Sequence, residues 1–417
     1  MKEWKSKPTV AGKNRIVFVT PQILSTDHGG GIRVIEEARA LAIYGNSTIS
    51  IFTYNTGKRF DGLLPASVSV NRTWFTPNVF SAGPTLHRIY MDAQLALKAI
   101  SSIPFTPHII HVHAHEGVPI GKFLSCFHGC PLVFDFQGST VDEMVRGGLI
   151  SSGGSFHGLM CCIEHMINKM PSVLISSSPI LSEITTEDFG VDKHRVFTVL
   201  DAVDTSILKP MSKKEQNIQM LKRKFGIPDG NRVVIYVGSF SKLQGVDILI
   251  RSIPHVLRSI PNVTFLLIGG KWNIKYHELM TKLAQELNVK RHIMFIPSAD
   301  YFRELQYYLN LADVAVAPKL HSPQSHGKLA VYMAAGLPTV AFDIRVNRIF
   351  LGRFGIFTRE ISPESLADGI LFAIEQYTDD REFKRQLRRR ACRLFSLKRL
   401  AKDLERVYNA VTTACQN

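Results

Sequence analysis

Short apolar runs rich in Val, Ile and Phe recur along the whole chain, each followed by a longer segment of helical period. No other feature limits the fold so strongly. In the first half "RIVFVT", "STISIFTY", "HIIHVHAH", "PLVFDF", "SVLISS" and "RVFTVLDAV" read as strands. The pattern restarts with "RVVIYVGSF", "VTFLLIGG", "HIMFIPS", "DVAVAP" and "PTVAFD". Segments such as Ile32 to Tyr44, Val246 to Arg258 and Ile274 to Leu287 read as helices between them. Buried strands alternating with helices build parallel sheets covered on both faces. The expectation is an α/β protein of two Rossmann-like, doubly wound domains facing a central cleft.

The seam is expected near "VDTSILKPMSKKEQN", where apolar sequence gives way to Lys-Pro and a charged run. This gives a basic, disordered N-terminus over 1–13, a first domain over 14–205 and a second over 206–395. A C-terminal helix over 396–417 would pack back toward the first domain. A length of 417 residues and a hydrophobic fraction of 45% suit two such domains.

Composition excludes several classes. No run of about 18 uncharged apolar residues occurs, so no spanning helix is expected. The polar opening "MKEWKSKPTVAGKN" is unlike a secretory signal. The cytoplasm is the expected compartment. Six cysteines lack the spacing of a disulfide framework, and "CFHGC" and "CCIEH" lack the C-x-x-C pairing of structural zinc. The net charge is +15, and nine Lys or Arg fall between Arg381 and Leu400 with Glu382 as the one acid. That run suits an anionic partner. No stacking pattern or binding motif for nucleic acid accompanies it, which leaves an anionic membrane surface, at the inner membrane face, or a solvated helix face.

In doubly wound sheets ligands gather where strands end, so the loops after strands are the candidate sites. After the first strand, Gly29, Gly30 and Gly31 lead into a helix whose Val34, Ala38 and Leu41 face inward. Glycines there let a ligand approach the backbone, and the helix start offers free N–H groups. "HIIHVHAHEG" places His111, His113 and His115 on one face of a strand. Such an arrangement reads either as a metal-ligand pair or as hydrogen-bonded core. His115 and Glu116, at the strand end, are the candidate cleft residues, and no metal is expected. Gln137 and Ser139 end the next strand and could meet a sugar hydroxyl, unless Ser139 or Thr140 simply caps the following helix. In the second half Gly238, Ser239, Lys242 and Gln244 form a small-residue loop whose N–H groups and lysine suit a diphosphate. It lacks G-K-[ST] and is no P-loop. Gly269 with Gly270, and the segment Ile296 to Ser298, supply two further strand-end loops.

Taken together, "HGGGIRV", "DAVDTSILKP", "YVGSFSKLQGVDIL", "IGG" and "YMAAGLPTVAF" resemble, in order and spacing, the family 4 glycosyltransferases. The resemblance runs from about Arg15 to the C-terminus. It implies the GT-B fold and transfer of a sugar from a nucleotide sugar with retention, with no metal and no other cofactor. The acceptor implied is a glycan or a lipid-linked molecule. By position, Gly29 to Gly31 would line the acceptor side, joined by His115, Glu116 and Ser139. Gly238, Ser239, Gln244, Gly269, Gly270, Ile296 and Ser298 would meet the donor, as would Ser325, His326, Gly327 and Val331. Gln137, Lys242 and Lys328 would carry catalysis.

Three positions depart from the family pattern. The Glu-x7-Glu pair reads Pro323 and Val331; the Arg and Lys of the diphosphate loop read Ser239 and Gln244; a His before the first-domain glycine reads Gln137. Loss of a carboxylate bonded to ribose would cost about 1.5–3 kcal/mol, about ten- to hundredfold in affinity. A catalytically impaired paralogue that binds sugar nucleotides or a partner is therefore the alternative. A non-hydrolysing epimerase of the same fold would need acid/base carboxylates, which the sequence does not place.

Overall fold

The computed structural model describes residues 14–27, 29–56, 62–75, 86–146, 148–271, 273–320 and 323–414. The expected basic N-terminus, 1–13, lies outside them. The chain divides into two compact units, Met1–Leu200 with Leu397–Asn417, and Asp201–Ser396.

The first unit runs β1 (Asn14–Thr20), α1 (Gly29–Tyr44), β2 (Ser47–Thr53), β3 (Val68–Arg72), α2 (Leu86–Ser102), β4 (Ile109–His113) and α3 (Gly117–His128). It continues through β5 (Leu132–Phe136), α4 (Thr140–Arg146), α5 (Ser155–Lys169), β6 (Val173–Ser176), α6 (Pro179–Glu187) and β7 (Val196–Thr198). Its sheet has the order β3-β2-β1-β4-β5-β6-β7, all parallel. The order reverses between β1 and β4, which makes the loops after those two strands the natural ligand site.

The second unit opens with α7 (Gln216–Lys224), β8 (Arg232–Val237), α8 (Val246–Ser259), β9 (Val263–Ile268), α9 (Ile274–Glu286), β10 (Ile293–Ile296) and α10 (Leu305–Leu311). There follow β11 (Val314–Ala317), α11 (Lys328–Ala334), β12 (Thr339–Phe342), α12 (Arg345–Leu351), β13 (Gly355–Thr358), α13 (Pro363–Tyr377) and α14 (Arg381–Leu394). Its parallel sheet runs β10-β9-β8-β11-β12-β13, reversing between β8 and β11. A final helix, α15 (Leu397–Ala414), belongs to the first unit and packs on α1.

Central strands are buried on both faces, as in Ile16 to Val19 and Val314 to Ala317, because parallel sheets carry helices on each side. Two strands, β3 and β13, escape the apolar-run criterion. β3 is an edge strand, "VSVNR", largely half-buried, and β13 is an edge strand opening on glycine. Edge strands need no continuous apolar run. The run "RVFTVLDAV" is shorter as a strand than expected: only Val196–Thr198 pair with β6, and Val203 bridges Ser396 in the second unit. The chain is already leaving the first sheet there.

Candidate functional site

In the second unit the strand-end loops are built around glycines in conformations that other residues rarely adopt. Gly238 has φ +152° and Gly269 φ +143°. A Cβ on Gly269 would lie 1.8 Å from the carbonyl oxygen of Gly238, so the two loops touch through bare backbone. Gly245, at φ +64°, starts α8 against the carbonyl of Pro318, 2.0 Å from where its Cβ would be. Loop and strand ends thus approach more closely than any side chain would allow.

Lys328, the first residue of α11, reaches into this corner. A Cβ on Gly238 would stand 2.4 Å from its Nζ. The amine donates to Gln244 Oε1 at 2.8 Å and lies 4.2 Å from the centre of the Tyr236 ring. Burial, with Lys319 nearby, pushes its pKa well below the ordinary lysine value. An anion arriving beside Gly238 would favour the charged form. Lys242 lies in the same loop and is exposed. Ser239 is exposed too, and its carbonyl accepts from the Tyr236 hydroxyl at 2.8 Å.

The remaining donor-side candidates divide by environment. Ser325 donates to Asp201, and Gly327 abuts the same carboxylate. His326 is buried; its Nδ1 pairs with Asn347 Oδ1 at 2.7 Å, and burial beside Lys319 and Lys328 drives its pKa down. Because the Asn347 amide donates to the Phe342 carbonyl, Oδ1 is left to accept from His326. His326 therefore braces α12 through Nδ1, while its buried Nε2 has no hydrogen-bond partner. Ile296 is buried and its carbonyl accepts from Gly269 N–H at 2.8 Å; Ser298 is half-buried, and Gly270 packs on Phe240 and His277. Val331, where a carboxylate would stand in the family pattern, is buried within α11.

In the first unit, α1 begins at Gly29 itself, so the three glycines form its first turn. Gly31 packs on the loop after β1: a Cβ there would lie 2.7 Å from the Ile23 carbonyl oxygen and the Ser25 nitrogen. Gly30 faces Gln22 and Gln137, whose Oε1 atoms lie 2.7 and 3.6 Å from its Cβ position. Gln137 is held by donating to Asp135 Oδ2 at 2.9 Å. The structure thus brings Gly30 and Gln137 together. Ser139 is half-buried like Gln137, whereas His115 is not brought to the surface with them. His115 is buried, with Nδ1 2.8 Å from Thr140 Oγ1 and Nε2 3.3 Å from Glu164. Ser139 donates to Glu164 at 2.8 Å and caps α4 by accepting from Asp142 N–H. Glu116 is paired with Arg88 at 2.6 Å.

Below this loop layer lies a polar network that the sequence reading missed. Arg33 of α1 meets Asp135 of β5 at 2.8 Å and Glu37, one turn on, at 3.2 Å. Glu37 Oε2 is 2.9 Å from His113 Nε2, and His111 Nδ1 is 2.7 Å from the Tyr408 hydroxyl of α15. Burial pushes His111 down to about 3 and His113 to about 4. Both rings are neutral at physiological pH. Burial alone would raise Asp135, but the Arg33 charge and hydrogen bonds hold it below the usual carboxylate range. Ligand atoms of Glu37, His111 and His113 lie within 4.8 Å of one another, the one such group among the described residues. Arg33 already supplies a positive charge there. The clue available in the sequence was the i,i+4 spacing of Arg33 and Glu37 on a helix that proves buried almost all round, between the sheet and α15.

The basic run of α14 is only partly a surface. Arg388 donates to the carbonyls of Thr205, Leu208 and Ala334, and Arg390 to those of Ile349 and Phe350. These two arginines cap the ends of α11 and α12. Arg385, Arg389 and Arg393 are exposed.

Two parallel-sheet, Rossmann-like units, each with a reversal of strand order, define a protein of the GT-B fold. The family model described as glycosyl transferases group 1 matches residues 217–391. D-inositol 3-phosphate glycosyltransferase of Nocardioides sp. is 22% identical over 408 residues, 92% of this chain and 85% of that protein. The protein of the same name from Thermobifida fusca is 30% identical over 160 residues, 37% of this chain and 35% of its own. Over residues 217–391 the chain carries the pattern of the group 1 glycosyl transferases, and along 92% of its length it is similar to a glycosyltransferase. Among solved structures, sucrose-phosphate synthase of Thermosynechococcus elongatus superposes with TM-score 0.75 at 17% identity, over 96% of this chain and all of that one (100%). Anabaena HepE, solved in complex with UDP and glucose, gives 0.72 at 16%, over 95% and 99%.

Proposed function

We propose that the protein transfers a sugar from a nucleotide-sugar donor to a glycan or lipid-linked acceptor, with retention of configuration and without a metal. The observation that carries this reading is the position of Lys328, with its amine beside Gly238 at the switch point of the second unit. In this reading the Gly238 loop holds the diphosphate through backbone N–H groups, and Lys328 supports the charge that builds on the leaving phosphate. Burial that weakens the amine's hold on its proton makes its charge depend on the donor's presence. The acceptor is met in the first unit near Gly30 and Gln137, with Gln137 fixed by Asp135. With Val331 apolar, the ribose is held by other groups.

Support for this acceptor class comes from what the first unit offers: neutral amide and backbone groups suited to hydroxyls. The names of the relatives, inositol-phosphate glycosyltransferases, are in keeping with a hydroxylated acceptor. The test incubates the purified protein with a panel of UDP-, GDP- and ADP-sugars and follows thermal stabilisation and slow donor hydrolysis. At least one donor should stabilise the fold and release nucleoside diphosphate, with activity unchanged by EDTA. Stabilisation without turnover over a broad acceptor panel would instead mark a sugar-nucleotide-binding protein. No stabilisation by any nucleotide would refute both readings.

A further inference from the structure

Among the described residues, 14 of the 19 large apolar residues that stand exposed belong to the first unit. Scattered exposed apolar residues are ordinary; a contiguous stripe is not. Helix α2 buries Met91, Leu95 and Ala99 against the sheet and turns Ile89, Leu97 and Ile100 to solvent, with Ile89 and Leu97 each 60% exposed. Their spacing puts all three on one outward face. Helix α3 presents Phe123 and Phe127 one turn apart, Phe127 at 72% exposure, their rings stacked with centroids 6.3 Å apart. The connections β3 to β4 and β4 to β5 step in the same direction along the sheet, so α2 and α3 cover the same face, and they pack on each other.

The charges bordering this stripe are positive or already paired, Glu116 ahead of α3 being held by Arg88 of α2. Lys98 on α2 and Lys122 on α3 flank it, and Lys98 lies 5.1 Å from the ring centre of exposed Trp74. The only carboxylate within either helix, Asp92, is half-buried and accepts from the Tyr54 hydroxyl. Aliphatic and aromatic side chains edged by lysines, with a tryptophan among them, suit the boundary between headgroups and acyl chains. No described helix is long and apolar enough to cross a membrane, so such contact would be peripheral.

We propose that the outward face of α2 and α3 docks the first unit onto an anionic lipid bilayer. The net charge of +15 favours approach, and the apolar stripe holds the protein once there. The exposed arginines of α14 contribute long-range attraction only. The inference concerns binding to lipid and does not depend on the proposed reaction.

Vesicle flotation tests it, with phosphatidylcholine vesicles compared against vesicles that also contain phosphatidylglycerol. The wild-type protein should float with the anionic vesicles and not with the neutral ones. Leu97→Glu with Phe127→Glu should lower the bound fraction roughly tenfold, and Lys98→Glu with Lys122→Glu should weaken binding mainly at low salt. Both pairs are at the surface, so thermal melting should stay unchanged. Arg385→Glu with Arg389→Glu on α14 should leave most of the binding. Absence of wild-type binding to anionic vesicles would overturn the proposal, as would undiminished binding by the Leu97 and Phe127 variant. A wild-type dimer that the same two substitutions dissociate, without vesicle binding, would assign the face to a second copy of the chain instead.

Discussion

The loops at the switch points of the two units solve the same geometric problem with different materials. In the second unit they are backbone: Gly238 and Gly269 meet with no room for a side chain, and the Lys328 amine is drawn into that corner. In the first unit they are side chains already bonded to one another: His115 to Thr140 and Glu164, Glu116 to Arg88, Gln137 to Asp135. Gly238 and Gly269 give their own N–H groups to the Ile268 and Ile296 carbonyls, so what they offer a phosphate is close approach to the backbone and to the Lys328 amine. Prearranged side chains suit hydroxyls, which need directed partners and tolerate a neutral surface. Glycine conformation should therefore govern donor affinity, and the polar network beneath the first unit's loops should govern stability and acceptor geometry.

The largest effect is expected from that network. Arg33→Met would leave Asp135 and Glu37 buried without their cation, a change that costs about 3–5 kcal/mol. Urea unfolding of the full chain, followed by circular dichroism, should show an early transition for the first unit, while nucleotide affinity stays within about twofold. A simultaneous loss of nucleotide binding would erase the division of labour. On the other side, Gly269→Ala places a Cβ on the Gly238 carbonyl at a strained φ and should cost about 2–3 kcal/mol. Its mark is that nucleotide stabilisation disappears along with the stability, which isothermal titration on the folded variant would show.

Much of this arrangement was legible in the sequence where one kind of residue sufficed to announce it. Continuous Val/Ile/Phe runs marked the central strands because strands buried on both faces have no polar side. Glycines at 238, 269 and 270 marked strand-end loops, and little else adopts the angles they take there. What could not be read was pairing across distance. Nothing in "FDFQGS" shows that Asp135 meets Arg33, 102 residues earlier, and nothing in the final helix shows that Tyr408 caps His111. His115 and Ser139 sit where a strand-end rule expects ligand contacts, yet Glu164 from α5 pairs with both, and His115 is buried. Arg388 and Arg390 look like surface charge in a basic run, and only the fold shows the carbonyls they satisfy. Periodicity reports which way a residue faces; it does not report what stands opposite.

Next in size is the contrast between the two lysines near the Gly238 loop. Lys328→Met should weaken nucleoside diphosphate binding by about tenfold to a hundredfold, the range for a charge-assisted contact in a partly desolvated site. Lys242→Met, at an exposed position, should change it less than about fivefold. Because burial lowers the Lys328 pKa, diphosphate binding should raise it and take up protons at alkaline pH. Titration calorimetry in buffers of different ionisation enthalpy would measure that uptake, and Lys328→Met should abolish it. Equal losses from both lysines would mean that the loop works through general positive charge and not through one buried amine.

The smallest effect lies at the rim of the first unit and tests whether its prearranged side chains carry a cost. Asp92 is pushed up to about 6, first by burial, then adjusted by the Tyr54 hydroxyl that it accepts from, by Glu116 and by the opposing charge of Arg88. A carboxyl whose pKa is higher folded than unfolded binds its proton more tightly in the native state. Its contribution to stability is therefore full below about pH 4, the ordinary aspartate value, and is lost as pH rises through 6. Asp92→Asn keeps an acceptor for Tyr54 and removes the charge. The variant should match the wild-type melting temperature at pH 4 and exceed it by a few degrees at pH 7.5, the gap opening between those values. A gap that stayed constant with pH would show that Asp92 is not strained by burial, and the first unit's loops would then be as free of charge cost as the glycine-built loops of the second.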